Sequence, residues 1–379
     1  MRALILEQGV DRACLASSRA LHRAGWTVGV GAPFPSLASQ SRYCERYHDV
    51  QAAQDGVDEY VAAAAAAVRE GGYDVVFTVD DSGVIALSER RDEIPAVVPY
   101  GPHEGVLRAF DKVALSQAAA RCGIETPPLH YPVDEAALPD GVPLVVKARL
   151  HLPGRFETQR YDSRDEAVGR VREIRAGGAD PLVQEVIDGP LLAFVALTDR
   201  ESRIVAATQQ EADRVWPLGA GPPVRDRTVA VDPELKERAQ ALLADLHWFG
   251  LAQLQMVQTA DGRRFLIDLN GRFYGSIALA IASGVNYPAL WAELAVGAPL
   301  SSGVAGVTGT RYQWLARDLR VSLSGGFAPY RALESLVFAT RSVHSVWSSD
   351  DPMTALRYYG RKSAGAVRDL FTNGRPGRA

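Results

Sequence analysis

Phe265-Leu266-Ile267-Asp268-Leu269-Asn270-Gly271-Arg272 alternates polar and apolar side chains up to a glycine. Residues two apart on a strand share a face. The spacing therefore predicts a strand with Asp268, Asn270 and Arg272 on one side and Ile267 and Leu269 turned to the core. Residues 252–259 form a second apolar run, joined to the first through Asp261-Gly262, a strong hairpin signal. That run offers Gln253 and Gln255, spaced to face the same way. A carboxylate, an amide oxygen and a guanidinium in line suit a divalent metal held together with a phosphate. Oxygen ligands suit magnesium, which shares its shell with substrate phosphates, and Gln255 adds a further oxygen. Taken alone, the stretch reads equally well as a solvated edge hairpin with an ordinary polar face.

Composition narrows the choice. The chain has 379 residues, with 37 arginines but only four lysines: Lys112, Lys147, Lys236 and Lys362. Lys147 ends the apolar strand Leu144-Val145-Val146, and Lys112 follows Phe110-Asp111. A compact ammonium reaches a phosphate as a point charge, so lysine at a strand end of an arginine-rich chain points to such a role. Lys236 and Lys362 sit in polar helical contexts. A net charge of −4 leaves no basic footprint for a nucleic-acid backbone. The three cysteines, Cys14, Cys44 and Cys122, are widely spaced and odd in number, which favours a reducing, cytoplasmic setting. No apolar stretch is long enough to predict a transmembrane helix. The histidines lack metal-ligand spacing, and no serine has the GxSxG context of a hydrolase nucleophile.

Outward from the hairpin, strands and helices alternate. Strands are predicted at 3–6, 27–30 and 74–79 and helices at 12–24 and 58–70, an α/β lobe of parallel βαβ units. No GxGxxG follows the first strand, which argues against dinucleotide binding. Pro99-Tyr100-Gly101-Pro102 marks a boundary. A helix is predicted over 107–122, then a strand at 144–147, a helix at 164–176 and a strand at 182–187. Beyond these come a hairpin at 192–198 and 204–209, a Gly/Pro loop at 217–223 and a helix at 233–249. Helices are again predicted at 277–284, 288–296 and 352–371.

The ordered pieces Asp111-Lys112, Val145-Val146-Lys147, Val183-Gln184-Glu185-Val186-Ile187-Asp188-Gly189, Gln255 and Asp268-x-Asn270-x-Arg272 resemble the ATP-grasp superfamily. The resemblance is closest to its carbamoyl-phosphate-synthetase-like carboxylate–amine ligase branch and covers about residues 1–300. Ser41-Arg42-Tyr43 is similar to an element of that branch's first lobe. The resemblance implies an α/β chain of α+β lobes. A Rossmann-like pre-ATP-grasp lobe spans 1–105 and an ATP-grasp domain spans 106–300, with a lid at about 115–185 and a metal and phosphate subdomain at about 186–300. A C-terminal helical extension occupies 301–379. It also implies that Lys112 and Lys147 contact the ATP phosphates. Gln184, Glu185 and Ile187 form the adenine hinge, with Val146 and Ile187 against the ring. Gln255, Asp268 and Asn270 hold Mg2+, or Mn2+ in its place. Arg272, with Lys147, neutralises charge during phosphoryl transfer, a step that needs mainly positioning and cationic groups.

The implied function is ATP-dependent amide or peptide bond formation through an acyl phosphate, on small carboxylate and amine substrates resembling amino acids. A bicarbonate-activating carboxylase and an inert nucleotide-binding module are the alternatives. No nucleic-acid or membrane partner is implied, and a homo-oligomer is compatible. Three departures stand out. Asp268 occupies a position where the family usually has glutamate. The phosphate loop 148–156 has one glycine, leaving Arg149 or Arg155 to supply charge. Leu191-Leu192 stand where a ribose-binding acid is expected, so Asp188 is its candidate replacement. Glu211 to Gly221 is similar to a loop lining the acceptor side, with Arg214, Arg225 and Arg227 as candidate ligands of a substrate carboxylate; each also reads as an ordinary surface arginine. Arg311-Tyr312-Gln313-Trp314 reads as packing or as part of the acceptor wall.

Overall fold

The computed structural model describes residues 1–9, 12–150, 158–216, 221–301, 303–324 and 329–360. The first lobe runs β1 (Arg2–Leu6), α1 (Arg12–Arg23), β2 (Thr27–Ala32), β3 (Arg46–Asp49), α2 (Val57–Gly71), β4 (Val75–Thr78) and α3 (Asp81–Glu89). Its strands are parallel in the order β3-β2-β1-β4. The apolar runs of β1 and β4 are buried along almost their whole length, as parallel strands are when helices cover both faces of the sheet. Gly72 closes α2 in the left-handed conformation, φ 60°, its N–H returning to the Val68 carbonyl. Two elements here were not predicted. β3 has the polar sequence Arg46-Tyr47-His48-Asp49, in which only His48 is buried, and it lies at the sheet edge. The Asp80–Gly83 segment, expected to close a strand, opens α3: the Asp80 carboxylate accepts from Gly83 N at 2.7 Å as the helix N-cap.

The single helix predicted over 107–122 is two, α4 (His103–Phe110) and α5 (Lys112–Arg121). Asp111 breaks it with an extended backbone, and its carboxylate accepts from Val113 N and Ala114 N. A second sheet follows from β5 (Leu129–His130), β6 (Leu144–Ala148), β7 (Gln159–Tyr161) and β8 (Pro181–Glu185), in the order β5-β8-β6-β7, with α6 (Arg164–Ala176) between β7 and β8 in sequence. Val133, Leu138, Leu144, Val146, Val171, Ile174 and Val183 give this unit a hydrophobic core of its own.

The third sheet is the largest. It is built from β9 (Leu191–Thr198), β10 (Ile204–Val215), β11 (Pro223–Val229), β12 (Gly250–Gln258), β13 (Arg264–Asn270), β14 (Arg311–Gln313) and β15 (Val343–His344), in the order β13-β12-β9-β10-β11-β14-β15. Between these strands come α7 (Pro233–Asp245), α8 (Ile277–Ala282), α9 (Tyr287–Val296), α10 (Leu315–Ser324) and α11 (Pro329–Ala339). β14 lies antiparallel on β11 with Asp226 opposite Tyr312. Residues 352–360 are helical; the rest of the helix predicted to 371 lies outside the described residues.

Two sets of contacts fix the first lobe against this sheet. Phe77, Tyr100, Phe273 and Trp291 stack edge-on or tilted with ring centroids 4.9–5.4 Å apart, geometry that the ring quadrupole favours. Trp291 also donates its indole N–H to the Pro99 carbonyl at 2.9 Å. Farther along, Arg19 of α1 pairs with Asp351 at 2.8 Å, both almost fully buried, and Ser41 donates to the same carboxylate at 2.6 Å.

Candidate active site

The β12–β13 hairpin places Gln253 opposite Asn270 and Gln255 opposite Asp268. Side chains directly opposite on an antiparallel pair lie within contact distance. Asn270 Nδ2 donates to Gln253 Oε1 at 3.2 Å, and Gln255 Nε2 approaches the same oxygen at 3.5 Å. These amides lie beside the Asp268 carboxylate, as the alternation predicts.

Both candidate lysines come to this carboxylate from other elements. Lys112, in the first turn of α5, forms an ion pair with Asp268. It is there because Asp111 stops α4 and restarts the chain as a new helix whose first residue is Lys112. Lys147 arrives from β6 of the second sheet, and its ammonium lies 3.5 Å from the Ile267 carbonyl. Lys112 and Lys147 are only 7% and 8% exposed. Burial, with Lys112 as a like-charged neighbour, pulls the Lys147 ammonium down to about 8, against the opposing field of Asp268. Two buried ammonium groups and one partly exposed carboxylate thus come together from three different elements.

Arg272 completes the group. Its Nη2 donates to Asn270 Oδ1 at 3.1 Å and its Nε to Asp81 Oδ1 at 2.6 Å. Asp81 belongs to α3 of the first lobe, so the third sheet's arginine is held by a carboxylate across the lobe boundary. Sequence reading missed Asp81 because it falls in the Asp80–Gly83 segment expected to close a strand.

The donor set fits a hard cation. Asp268 supplies a carboxylate, and Gln255 and Asn270 supply amide oxygens, the ligand type magnesium takes. A single carboxylate leaves room for phosphate oxygens in the shell. Among the described residues, no group of three or more His, Cys, Asp or Glu side chains is placed to hold a metal by itself.

The other predicted residues are distributed as follows. Gln184 and Glu185 lie on β8; Gln184 is buried, and Glu185 faces His130 at 3.3 Å. Ile187 and Asp188 follow the strand, and Asp188 accepts from Arg160 at 3.1 Å. Arg149 is engaged at 2.6 Å by Asp111 and at 2.7 Å by the Tyr131 hydroxyl. Arg155 and most of the glycine-poor loop lie outside the described residues. The stretch read as an acceptor loop is strand β10 as far as Val215, and residues 217–220 lie outside the described residues. Arg225 is buried and pairs with Asp318 at 2.8 Å and Glu334 at 2.6 Å; Arg214 shares both carboxylates. Arg227 pairs with Glu211 and Asp213. All three arginines project from strands, not from a loop.

One feature had no signal in the sequence. On the hairpin's polar face, Gln255 neighbours Ala193 of β9, and Ala193 neighbours Gln210 of β10. Gln210 Nε2 donates to Asp226 Oδ2 at 3.0 Å and to Ser276 Oγ at 2.8 Å. A small pocket is lined by Gln210, Asp226, Gln253 and Gln255 with Leu191–Ala193 and Pro223. Asp226 is 1% exposed. Burial pushes its carboxyl well above the usual range, against the pull of the Ser276 hydroxyl.

No helix among the described residues is long and apolar enough to cross a membrane. No curated protein matches the chain by sequence. The family described as ATP-grasp in the biosynthetic pathway with Ter operon matches residues 195–317. Among solved structures, the chain is similar to an L-amino acid ligase from Bacillus licheniformis, with 17% identity, TM-score 0.61, and coverage of 78% of this chain and 74% of that one. It is similar to N5-carboxyaminoimidazole synthetase from Staphylococcus aureus, with 10% identity, TM-score 0.61 and coverage of 82% and 80%. It is also similar to the biotin carboxylase domain of 2-oxoglutarate carboxylase from Hydrogenobacter thermophilus, solved with MgADP, ADP and bicarbonate, with 15% identity, TM-score 0.64 and coverage of 81% and 73%. At such identities these structures speak to the fold, and the family match falls on the strands that carry Gln255, Asp268 and Arg272. The three-sheet architecture is similar to that of these solved structures, and residues 195–317 match an ATP-grasp family.

Proposed function

We propose that this chain is a Mg-ATP-dependent ligase that joins a small carboxylate to an amine. The observation that carries the reading is the meeting of Lys112, Lys147 and Asp268 beside Gln255, Asn270 and Arg272. In this reading ATP lies between the second sheet, in a lid at about 115–185, and the third sheet, at about 186–300. Gln184, Glu185 and Ile187 contribute the adenine edge, and Asp188 faces the ribose. Lys112 and Lys147 bind phosphate oxygens, which requires Lys112 to exchange its pairing with Asp268 for one with the nucleotide. Bound to Asp268, Asn270 and Gln255, magnesium would draw charge from the phosphates.

A substrate carboxylate oxygen attacks the γ-phosphorus, and the bond to the ADP oxygen breaks. Arg272, held by Asp81, neutralises charge on the transferred phosphoryl group. The amine, having given a proton to solvent, then attacks the acyl carbon, and phosphate leaves. No enzyme nucleophile is needed. Charge neutralisation and positioning are what phosphoryl transfer demands. The substrates in this reading are small molecules with amino-acid-like groups, and three free cysteines fit a cytoplasmic setting.

The test is ADP release measured against pooled amino acids and other small carboxylates and amines, with mass spectrometry of the product. An amide formed with one ADP per bond is the expected result. ADP release independent of every carboxylate–amine pair overturns the reading, and release stimulated by bicarbonate alone would move it to carboxylation.

A further inference from the structure

The pocket on the polar face of the third sheet is chemically lopsided. Its polar lining consists of three glutamines and one carboxylate, Gln210, Gln253, Gln255 and Asp226, with no cationic side chain among them. Among the described residues, none forms an ion pair with Asp226. The cation whose field favours its charged form is Arg12 of α1. The Arg12 guanidinium is committed elsewhere: it donates to the Tyr312 hydroxyl at 2.6 Å and stacks on the Trp314 ring, 3.4 Å from its centre. Burying a carboxyl without a cation is costly, and an apolar residue at this position would have avoided the cost. Gln210 nevertheless grips it at 3.0 Å and is itself fixed by Ser276, so the carboxyl is held in place for a partner.

From this geometry we infer that Asp226, positioned by Gln210, binds the ammonium group of an amino-acid substrate whose carboxylate lies toward Arg272 and the metal-binding residues. The inference rests on the ligase reading above and names its substrate class. An ammonium is compact and carries three N–H donors, enough to meet the Asp226 carboxylate and a glutamine oxygen together. Distance agrees. β12 and β11 are three strand intervals apart, roughly 14 Å at about 4.8 Å each. Gln255 and Asp226 line the same pocket from these two strands. A carboxylic acid lacking the amine would leave Asp226 buried without its cation, which is how a buried polar group rejects the wrong ligand.

The experiment is calorimetric titration of the full chain, loaded with Mg2+ and the non-hydrolysable analogue AMPPNP. Each of the twenty standard amino acids is titrated, and so is the matching acid lacking the α-amine. The expected result is at least one amino acid bound tenfold or more tightly than its des-amino partner, with Asp226→Asn reducing the difference to under threefold. Gln210→Ala serves as a second variant and should narrow the difference without removing the charge. Equal affinity of the pair for the wild type overturns the inference, as does failure of every amino acid to bind or full discrimination retained in Asp226→Asn. ADP release with added amines, followed in parallel, reports on the ligase reading separately. Asp226-dependent binding without turnover would keep this inference and sink that reading; turnover without amine discrimination would do the reverse.

Discussion

The Arg272 guanidinium and the Asp81 carboxylate meet at 2.6 Å although 191 positions separate them in the chain. The pair ties the chain just after β13 to the first turn of α3, so the arginine proposed to face the transferring phosphate is held by the opposite lobe. Asp81→Asn keeps the shape and removes the charge. It should lower kcat about tenfold with little change in the KM for ATP. Arg272→Ala, which removes the cation itself, should cost 10²-fold or more, the scale for losing one transition-state donor. Steady-state ADP release checks both, and an Asp81→Asn enzyme with wild-type kcat would remove the aiming role.

Lys147 makes the activity depend on pH. Its ammonium titrates at about 8 in the folded protein, below the ordinary lysine value, so the charged form is lost as pH rises through 8. The kcat/KM for ATP should fall above pH 8, and Lys147→Arg should flatten that limb, because arginine stays charged. The stability effect has the opposite sign. Between about 8 and the unfolded value of about 10.4 the unfolded chain binds more protons at this site, so Lys147's contribution to stability grows with pH there. A pH series of ADP release and of urea midpoints measures the two effects.

Asp268 is both partner of Lys112 and the sole carboxylate among the proposed metal ligands. Asp268→Ala should raise the Mg2+ concentration for half-maximal ADP release tenfold or more. Asp268→Glu, the longer acid usual in the superfamily, should keep activity within about tenfold. EDTA should abolish turnover, and Mg2+ or Mn2+ should restore it. An Asp268→Ala enzyme with an unchanged Mg2+ requirement would place the metal elsewhere.

The buried Arg19–Asp351 pair carries a stability prediction. Asp351→Ala leaves the Arg19 guanidinium buried without its counter-charge and strips Ser41 and Thr354 of an acceptor. Breaking one partner of a buried pair costs about 3–5 kcal/mol. Denaturant unfolding should register that loss, whereas Asp350→Ala, whose pairing with Arg23 is half-exposed, should cost under about 1 kcal/mol. Equal effects of the two substitutions would contradict the clasp.

The Asp268–Asn270 strand was legible because period-two alternation states directly which side chains share a face, and Asp268 and Asn270 pair with the glutamines of β12. Lys112 and Lys147 stood out because lysine is scarce here, and the structure brings both beside Asp268. What escaped was decided by partners distant in sequence. Asp81 meets Arg272 only when α3 packs near β13, and Asp226 has no local pattern at all: it lies between two arginines on β11. β3 escaped because an edge strand does not need apolar residues on both faces. The break at Asp111 was readable in principle, since aspartate before a helical run is an N-cap signal, but the continuous apolar spacing on either side masked it.

The strand pairing of β14 on β11 bears on where this protein can be cut or joined. A fragment ending at residue 300, a boundary that composition invites, would leave β11 as a raw sheet edge, a known route to aggregation. It would also take away Tyr312, which lies opposite Asp226, and Trp314, which holds Arg12 away from it. Residues 311–314 therefore support the strand that carries Asp226 and are not an appendage. In chimaeras between relatives, substrate preference should travel with this segment together with β11, and hybrids joined between the two should aggregate or lose selectivity.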